Sequence, residues 1–360
     1  MKINWILPEA TQCGGVRMAF QYANALTEYG HDVVCYIPKS GQHWGWKKIF
    51  FPKELLRMHF SDDMKGKWFN NKFPFHFPVW ITDNSIRDAD VTIATSWITS
   101  YWVNGLKKDK GKKVYFIQGF ETWGTDKINK IVMESYKLPF DKRITVSTAL
   151  HDRLLSEAGA DSEVVCNGVE KCFLKELKKK CNNKIVIGMP YRDVRGDDIK
   201  NCGLGLKVLL KIKRENPDIE IVSFGFVKPQ DWNEEITFVE NPSRDELVEL
   251  YNKIDIFYVP SVYEGWGLPA MEAMAQSSCV LAANSGIIRE IGIDGENCII
   301  LQNPRDEQEA IDKIEFLIQN PDLFIKIGKN AREEVLKMST EASSRKFEKI
   351  LKDICNKADE

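Results

Sequence analysis

At 360 residues with 43% hydrophobic content, the chain can fill two cores, which excludes a disordered or fibrous protein. Lys and Arg number 50 against 52 Asp and Glu, a formal charge of −2, so no global basic field points to nucleic acid as a partner. None of the nine cysteines forms a Cys-x-x-Cys pair, the opening apolar run is too short for a signal peptide and no later run is long enough to span a membrane, so a reduced, cytoplasmic protein is expected.

Taken in chain order, residues 3–7 read as a first strand, Gly14-Gly15 as a loop opening a helix over about 16–29, and 32–37 as the next strand after Gly30. The stretch 42–80 departs from this rhythm: Trp44, Trp46, Phe50, Phe51, Phe60, Trp68, Phe69, Phe73, Phe75, Phe77 and Trp80 lie among Lys47, Lys48, Lys65, Lys67 and other cations. Rings and lysines together suit an anionic membrane surface or a lipid-linked acceptor at the inner face of the membrane. They also suit an insertion packing its aromatics onto the domain, the reading favoured by Pro52, Pro74 and Pro78, which prevent one continuous amphipathic helix. Strands continue at 91–94, 113–117 and 144–146, and 164–166 leads into Asn167-Gly168-Val169.

The lysine-rich segment 171–183 lacks a strand pattern and is the expected linker. A second strand–helix series follows, with a strand at 184–188, a helix over about 201–215 stopped by Asn216-Pro217, and a strand at 220–224. Ser243-Arg244-Asp245-Glu246 forms a capping box for a helix to Asn252, and later strands fall at 255–259, 279–283 and 298–301. Two doubly wound α/β halves are therefore expected. The predicted domains are 1–170 (with the 42–80 insertion), 171–338, and a final helical segment 339–360.

The most informative stretch joins strand 255–259 to the helix behind it. Pro260 stops the strand, Glu264 falls in the loop, and Pro269 suits a first helical position, placing Glu272 about one turn inside. Gly265 and Gly267 let backbone amides approach a ligand, and the helix start adds partial positive charge suited to phosphate. Two carboxylates eight residues apart across such a turn suit a sugar and a ribose.

Glu264-Gly265-Trp266-Gly267-Leu268-Pro269-Ala270-Met271-Glu272-Ala273-Met274-Ala275 resembles the Glu-x7-Glu stretch of the retaining glycosyltransferases of family 4, matching E-G-x-G-L-P-x-x-E-A-M-A at every fixed position. The resemblance implies the GT-B fold: two Rossmann-like domains facing a central cleft, the C-terminal helix crossing back to the first. It implies sugar transfer from a nucleotide diphosphate sugar to a hydroxyl of a glycan or lipid-linked acceptor, with retention. Glu264 would meet the sugar and Glu272 the ribose, with Gly265, Trp266, Gly267 and Leu268 lining the donor site.

The same resemblance extends to weaker elements. The family usually shows Gly-Arg and then Lys-Gly after the first strand of the second domain. Here Arg195-Gly196 would stand for the second pair and Arg192 for the earlier arginine, both gripping the leaving diphosphate; the alternating charges also fit a solvated turn. Gly14 and Gly15 resemble the N-terminal glycine loop, with Arg17 placed for an acceptor or simply on an exposed helix face. Where many members have a histidine, this chain reads Gln118-Gly119-Phe120-Glu121, so Gln118 or Glu121 would orient a substrate, or the loop has no such role. Glu290 falls at the family's Gly-x-x-x-Glu turn near the nucleotide. The five histidines lack metal-ligand spacing, so neither metal nor other cofactor is expected. The rival functions are a nucleotide-sugar epimerase or hydrolase, and an inactive sugar-nucleotide-binding module.

Overall fold

The computed structural model describes residues 1–39, 69–122, 124–175, 184–192 and 199–356. It divides into two compact units, Met1–Asn167 together with the chain from Glu341 onward, and Gly168–Thr340. Each is an α/β unit built on one wholly parallel sheet, in keeping with the expected fold class.

The first sheet contains β1 (Lys2–Ile6), β2 (Asp32–Tyr36), β3 (Phe75–His76), β4 (Val91–Ala94), β5 (Lys112–Ile117), β6 (Lys142–Thr145) and β7 (Glu163–Val164), in the order β3-β2-β1-β4-β5-β6-β7. Its helices are α1 (Gly14–Glu28), α2 (Trp97–Asn104), α3 (Asp126–Lys137) and α4 (Thr148–Ala158). Strand order reverses direction between β1 and β4, so the crevice beyond their carboxyl ends is the natural ligand position of this unit.

Part of the aromatic stretch contributes to this unit. Phe69, Phe73 and Phe75 close around Phe20 of α1 at centroid distances of 5.4–5.8 Å, and Phe75–His76 adds the edge strand β3. For Phe69, Phe73, Phe75 and Phe77, ring packing explains the aromatics. The remainder, including Trp44, Trp46, Lys47, Lys48, Lys65 and Lys67, lies outside the described residues.

The last helix, Thr340–Asn356, belongs to this first unit from Glu341 onward. Phe347, fully buried, stacks on Trp5 at 5.7 Å and on Tyr22 at 4.8 Å, with Phe116 edge-on. Beside it the buried Glu348 accepts from His31 Nε2 (2.8 Å), Lys352 Nζ (2.7 Å) and Arg345 Nη1 (3.2 Å). Burial opposes the charge of Glu348, but Lys352, His31 and Arg345 outweigh it and hold its carboxyl down at about 2.

The second sheet contains β8 (Val186–Pro190), β9 (Glu220–Gly225), β10 (Thr237–Glu240), β11 (Ile256–Val259), β12 (Cys279–Ala283) and β13 (Ile299–Leu301), in the order β10-β9-β8-β11-β12-β13. Around it lie α5 (Cys202–Glu215), α6 (Arg244–Lys253), α7 (Leu268–Ala275), α8 (Ile287–Ile291), α9 (Glu307–Gln319) and α10 (Pro321–Val335), and the chain then enters α11 (Thr340–Asn356). Direction reverses here between β8 and β11, the two strands whose following loops carry the sequence motifs.

Two local expectations are corrected. The glycine pair does not precede α1 but forms its first two residues, with Cys13 in extended backbone at the cap position. Residues 171–174 are not linker: Lys171–Leu174 forms a 3-10 turn in the second unit, with Phe173 fully buried and its carbonyl bonded by Gln276 Nε2 at 2.8 Å. The two chain passages lie side by side at Val169, whose amide donates to Met338 O at 2.9 Å and whose carbonyl accepts from Thr340 Oγ1 at 2.7 Å. Gly168 is required there, since a Cβ would fall 2.2 Å from the Ser339 backbone.

Candidate functional site

In the second unit the site is assembled at the carboxyl ends of β8 and β11. After Val259 the chain passes through Pro260 and Ser261 to Glu264, then enters α7 through Gly267, whose φ of +85° no other residue adopts cheaply. Gly286 fixes this loop from the next connection: with φ +54° it brings its backbone so close that a Cβ would lie 2.3 Å from Trp266 O, and the Ile287 amide bonds the same oxygen at 2.6 Å. Gly265, Gly267 and Leu268 thus present backbone at the start of a helix, an arrangement suited to an anion. Trp266 is different. Its side chain is 4% exposed and its indole N–H meets Met271 Sδ at 3.2 Å, so the ring is core and only its backbone borders the site.

Glu264 is held at both ends, its amide donating to Ser285 Oγ at 3.0 Å and its Oε1 accepting from Lys200 Nζ at 2.6 Å. Lys200 is the residue that sequence reasoning missed. It lies two residues ahead of α5, and the residue between, Asn201, has φ +53°, the left-handed backbone that glycine ordinarily supplies. The side-chain amide of Asn201 donates to Pro260 O (3.2 Å) and Pro304 O (2.8 Å), and Val262 N bonds Ile199 O at 2.8 Å, tying the Lys200 turn to the Glu264 loop. Lys200-Asn201 thus forms the turn that leads into α5 beside the Glu264 loop. Arg195 lies outside the described residues, while Arg192 has an exposed side chain and an amide on Cys202 Sγ at 3.4 Å.

Glu272 does not share the Lys200 pair. It lies on α7 at 4% exposure, with Oε1 on Arg244 Nη2 (2.9 Å) and Oε2 on Tyr251 Oη (3.0 Å). Arg244 Nη2 also meets Glu170 Oε1 at 2.8 Å, and its guanidinium lies 4.5 Å over the Phe173 ring. Burial works against the charge of Arg244, but Glu272 and then Glu170 outweigh it and raise the guanidinium above its ordinary range. Sequence reading recognised Arg244 only as the residue after a cap; that capping box is present, with Ser243 and Glu246 bonded reciprocally. Glu290 sits half-buried on α8.

In the first unit, the predicted residues gather at the ends of β1 and β5. Gln118 Nε2 donates to Gly15 O at 2.9 Å, so Gln118 braces the glycine turn, and Arg17 is half-buried on α1. Glu121 Oε2 accepts from the Trp97 amide at the start of α2 (2.6 Å), while its own amide bonds Tyr136 Oη at 2.9 Å. Desolvation pushes the Glu121 carboxyl up to about 7 despite the Trp97 amide, which favours the charged form. Among the described residues no group of His, Cys, Asp and Glu is arranged to hold a metal ion.

Residues 194–334 match the family model described as glycosyl transferases group 1. An uncharacterized glycosyltransferase of Methanocaldococcus jannaschii is 32% identical over 211 residues, covering 56% of each chain. The MMP alpha-(1->4)-mannosyltransferase of Mycolicibacterium hassiacum is 26% identical over 209 residues, 54% of this chain and 49% of its own. The chain spans about half the length of the curated relatives it matches. Among solved structures, Anabaena HepE, in complex with UDP and glucose, aligns over 98% of this chain and 100% of its own with TM-score 0.73 at 16% identity, which shows the fold, GT-B. The residues matched by the family model lie in the second unit apart from those outside the described residues.

Proposed function

We propose that this protein moves a sugar from a nucleoside diphosphate sugar to a hydroxyl of a glycan or lipid-linked acceptor, with retention at the anomeric carbon. The observation carrying this reading is the Lys200–Glu264 pair, a cation and a carboxylate 2.6 Å apart at the switch point of the second sheet, beside the start of α7. The UDP and glucose held by the Anabaena structural neighbour support a donor of this class. The E-G-x-G-L-P-x-x-E-A-M-A match supports family 4 and, with it, retention.

In this mechanism the bond from the anomeric carbon to the diphosphate breaks while the acceptor oxygen bonds the same carbon on the same face. The acceptor proton passes to the departing phosphate oxygen. Charge grows on that phosphate, so Lys200 and the α7 amides act most strongly at the transition state. Glu264 orients Lys200 and meets the sugar hydroxyls, and Glu272 meets the ribose. Neither a protein nucleophile nor a metal is required by this chemistry. The protein works at the cytoplasmic side, at the inner face of the membrane where the acceptor is lipid-linked.

The test is a thermal-shift panel of nucleotide sugars followed by proton NMR of the product. A cognate donor at 100 times its Kd should stabilise the protein by about 2.7 kcal/mol, and the product should keep the donor's anomeric configuration. Inversion would overturn the retaining assignment.

A further inference from the structure

We infer that Arg244, assisted by Tyr251, is a positioning residue that fixes the Glu272 carboxylate for the ribose of the donor, an inference that rests on Glu272 being the ribose contact. The two oxygens of Glu272 are separately engaged, Oε1 by Arg244 Nη2 at 2.9 Å and Oε2 by Tyr251 Oη at 3.0 Å, so the carboxylate plane is defined from two sides. Both partners come from α6, whereas Glu272 sits on α7.

Arg244 is itself placed from outside α6. Glu170 shares its Nη2 at 2.8 Å, and Phe173 lies under its guanidinium. Gln276, at the end of α7, bonds the carbonyl of Phe173, so the support of Arg244 returns to the helix that carries Glu272. Stability alone is a poor account of this arrangement. One guanidinium nitrogen serves both carboxylates, a geometry that forgoes the paired, two-nitrogen contact arginine makes with a single carboxylate when it serves mainly as a tie. What it secures is direction: a glutamate that would otherwise sample several rotamers is held in one.

The experiment compares the affinities of UDP and GDP with those of their 2′,3′-dideoxy counterparts by calorimetry, using the whole chain. Removing the ribose hydroxyls should cost the wild type about 10- to 100-fold, the worth of charge-assisted hydrogen bonds. Glu272→Ala should abolish that preference; if it keeps the preference, Glu272 does not meet ribose and the underlying reading falls. Arg244→Met should bring the preference close to one while leaving dideoxy binding near its wild-type strength. Tyr251→Phe, which removes only a hydroxyl, should lower the preference in the same direction and is the deciding variant if Arg244→Met does not fold. Loss of the preference in Glu272→Ala together with a full wild-type preference in the folded Arg244→Met would overturn the positioning role. A merely structural arginine would weaken both ligands equally.

Discussion

Glu121→Gln should stabilise the protein in a pH-dependent way. In the folded chain the Glu121 carboxyl is raised from 4.5 to about 7, because desolvation outweighs the hydrogen bond from the Trp97 amide. At about 1.4 kcal/mol per unit, the rise corresponds to roughly 3 kcal/mol, reduced to about 2–3 kcal/mol by partial exposure. The folded value lies above the unfolded one, so the unfolded chain releases this proton first. The associated stability is therefore fully present below about 4.5 and is lost as pH rises through about 7. Glutamine keeps an acceptor for the Trp97 amide but has no proton to lose. Urea unfolding of both proteins between pH 4 and 8 should show near-equal stability at the acid end and a widening advantage for Glu121→Gln, complete by about pH 8. A difference that stays flat across this range would refute the desolvated carboxyl.

Phe347→Ala should destabilise the first unit by about 3–5 kcal/mol, since a fully buried ring between Trp5 and Tyr22 is removed; differential scanning calorimetry reads the loss. Lys200→Ala should lower kcat about 10²–10³-fold with a smaller change in KM, because the leaving charge it meets grows toward the transition state; steady-state kinetics separates the two. Gly286→Ala should cost about 2–4 kcal/mol, since its Cβ would meet Trp266 O at 2.3 Å in a backbone region reserved for glycine. A thermal melt without ligand checks this.

Much of the architecture was legible because local chemistry and global fold agree. The run at residues 256–259 is strand, Pro269 falls in the first turn of α7 as its second residue, and Glu272 lies one turn inside. The spacing of Ser243 and Glu246 likewise gave the start of α6. What escaped were choices made by tertiary geometry. Several cations lie between β8 and α5, and the linear sequence does not single out Lys200 among them. Only the left-handed Asn201, doing glycine's work, shows which cation stands at the helix entry. Arg244 looked like an ordinary first-turn residue because its partners Glu170 and Glu272 are 74 and 28 positions away. Trp266, which the family resemblance places along the donor site, has its indole directed by the turn onto Met271. The strand at Phe75–His76 was hidden among aromatics whose packing against Phe20 is not a periodic signal.

Glycosyl transfer itself is tested most directly by following a label. The protein, supplied with the sugar-labelled donor that stabilises it and a glycan or lipid extract, should move label into the acceptor fraction and release one nucleoside diphosphate per sugar moved. Glu264→Gln, which loses the charge paired with Lys200, should transfer at a small fraction of the wild-type rate while remaining folded. Release of free labelled sugar without any acceptor product, or transfer by Glu264→Gln at the wild-type rate, would contradict the account.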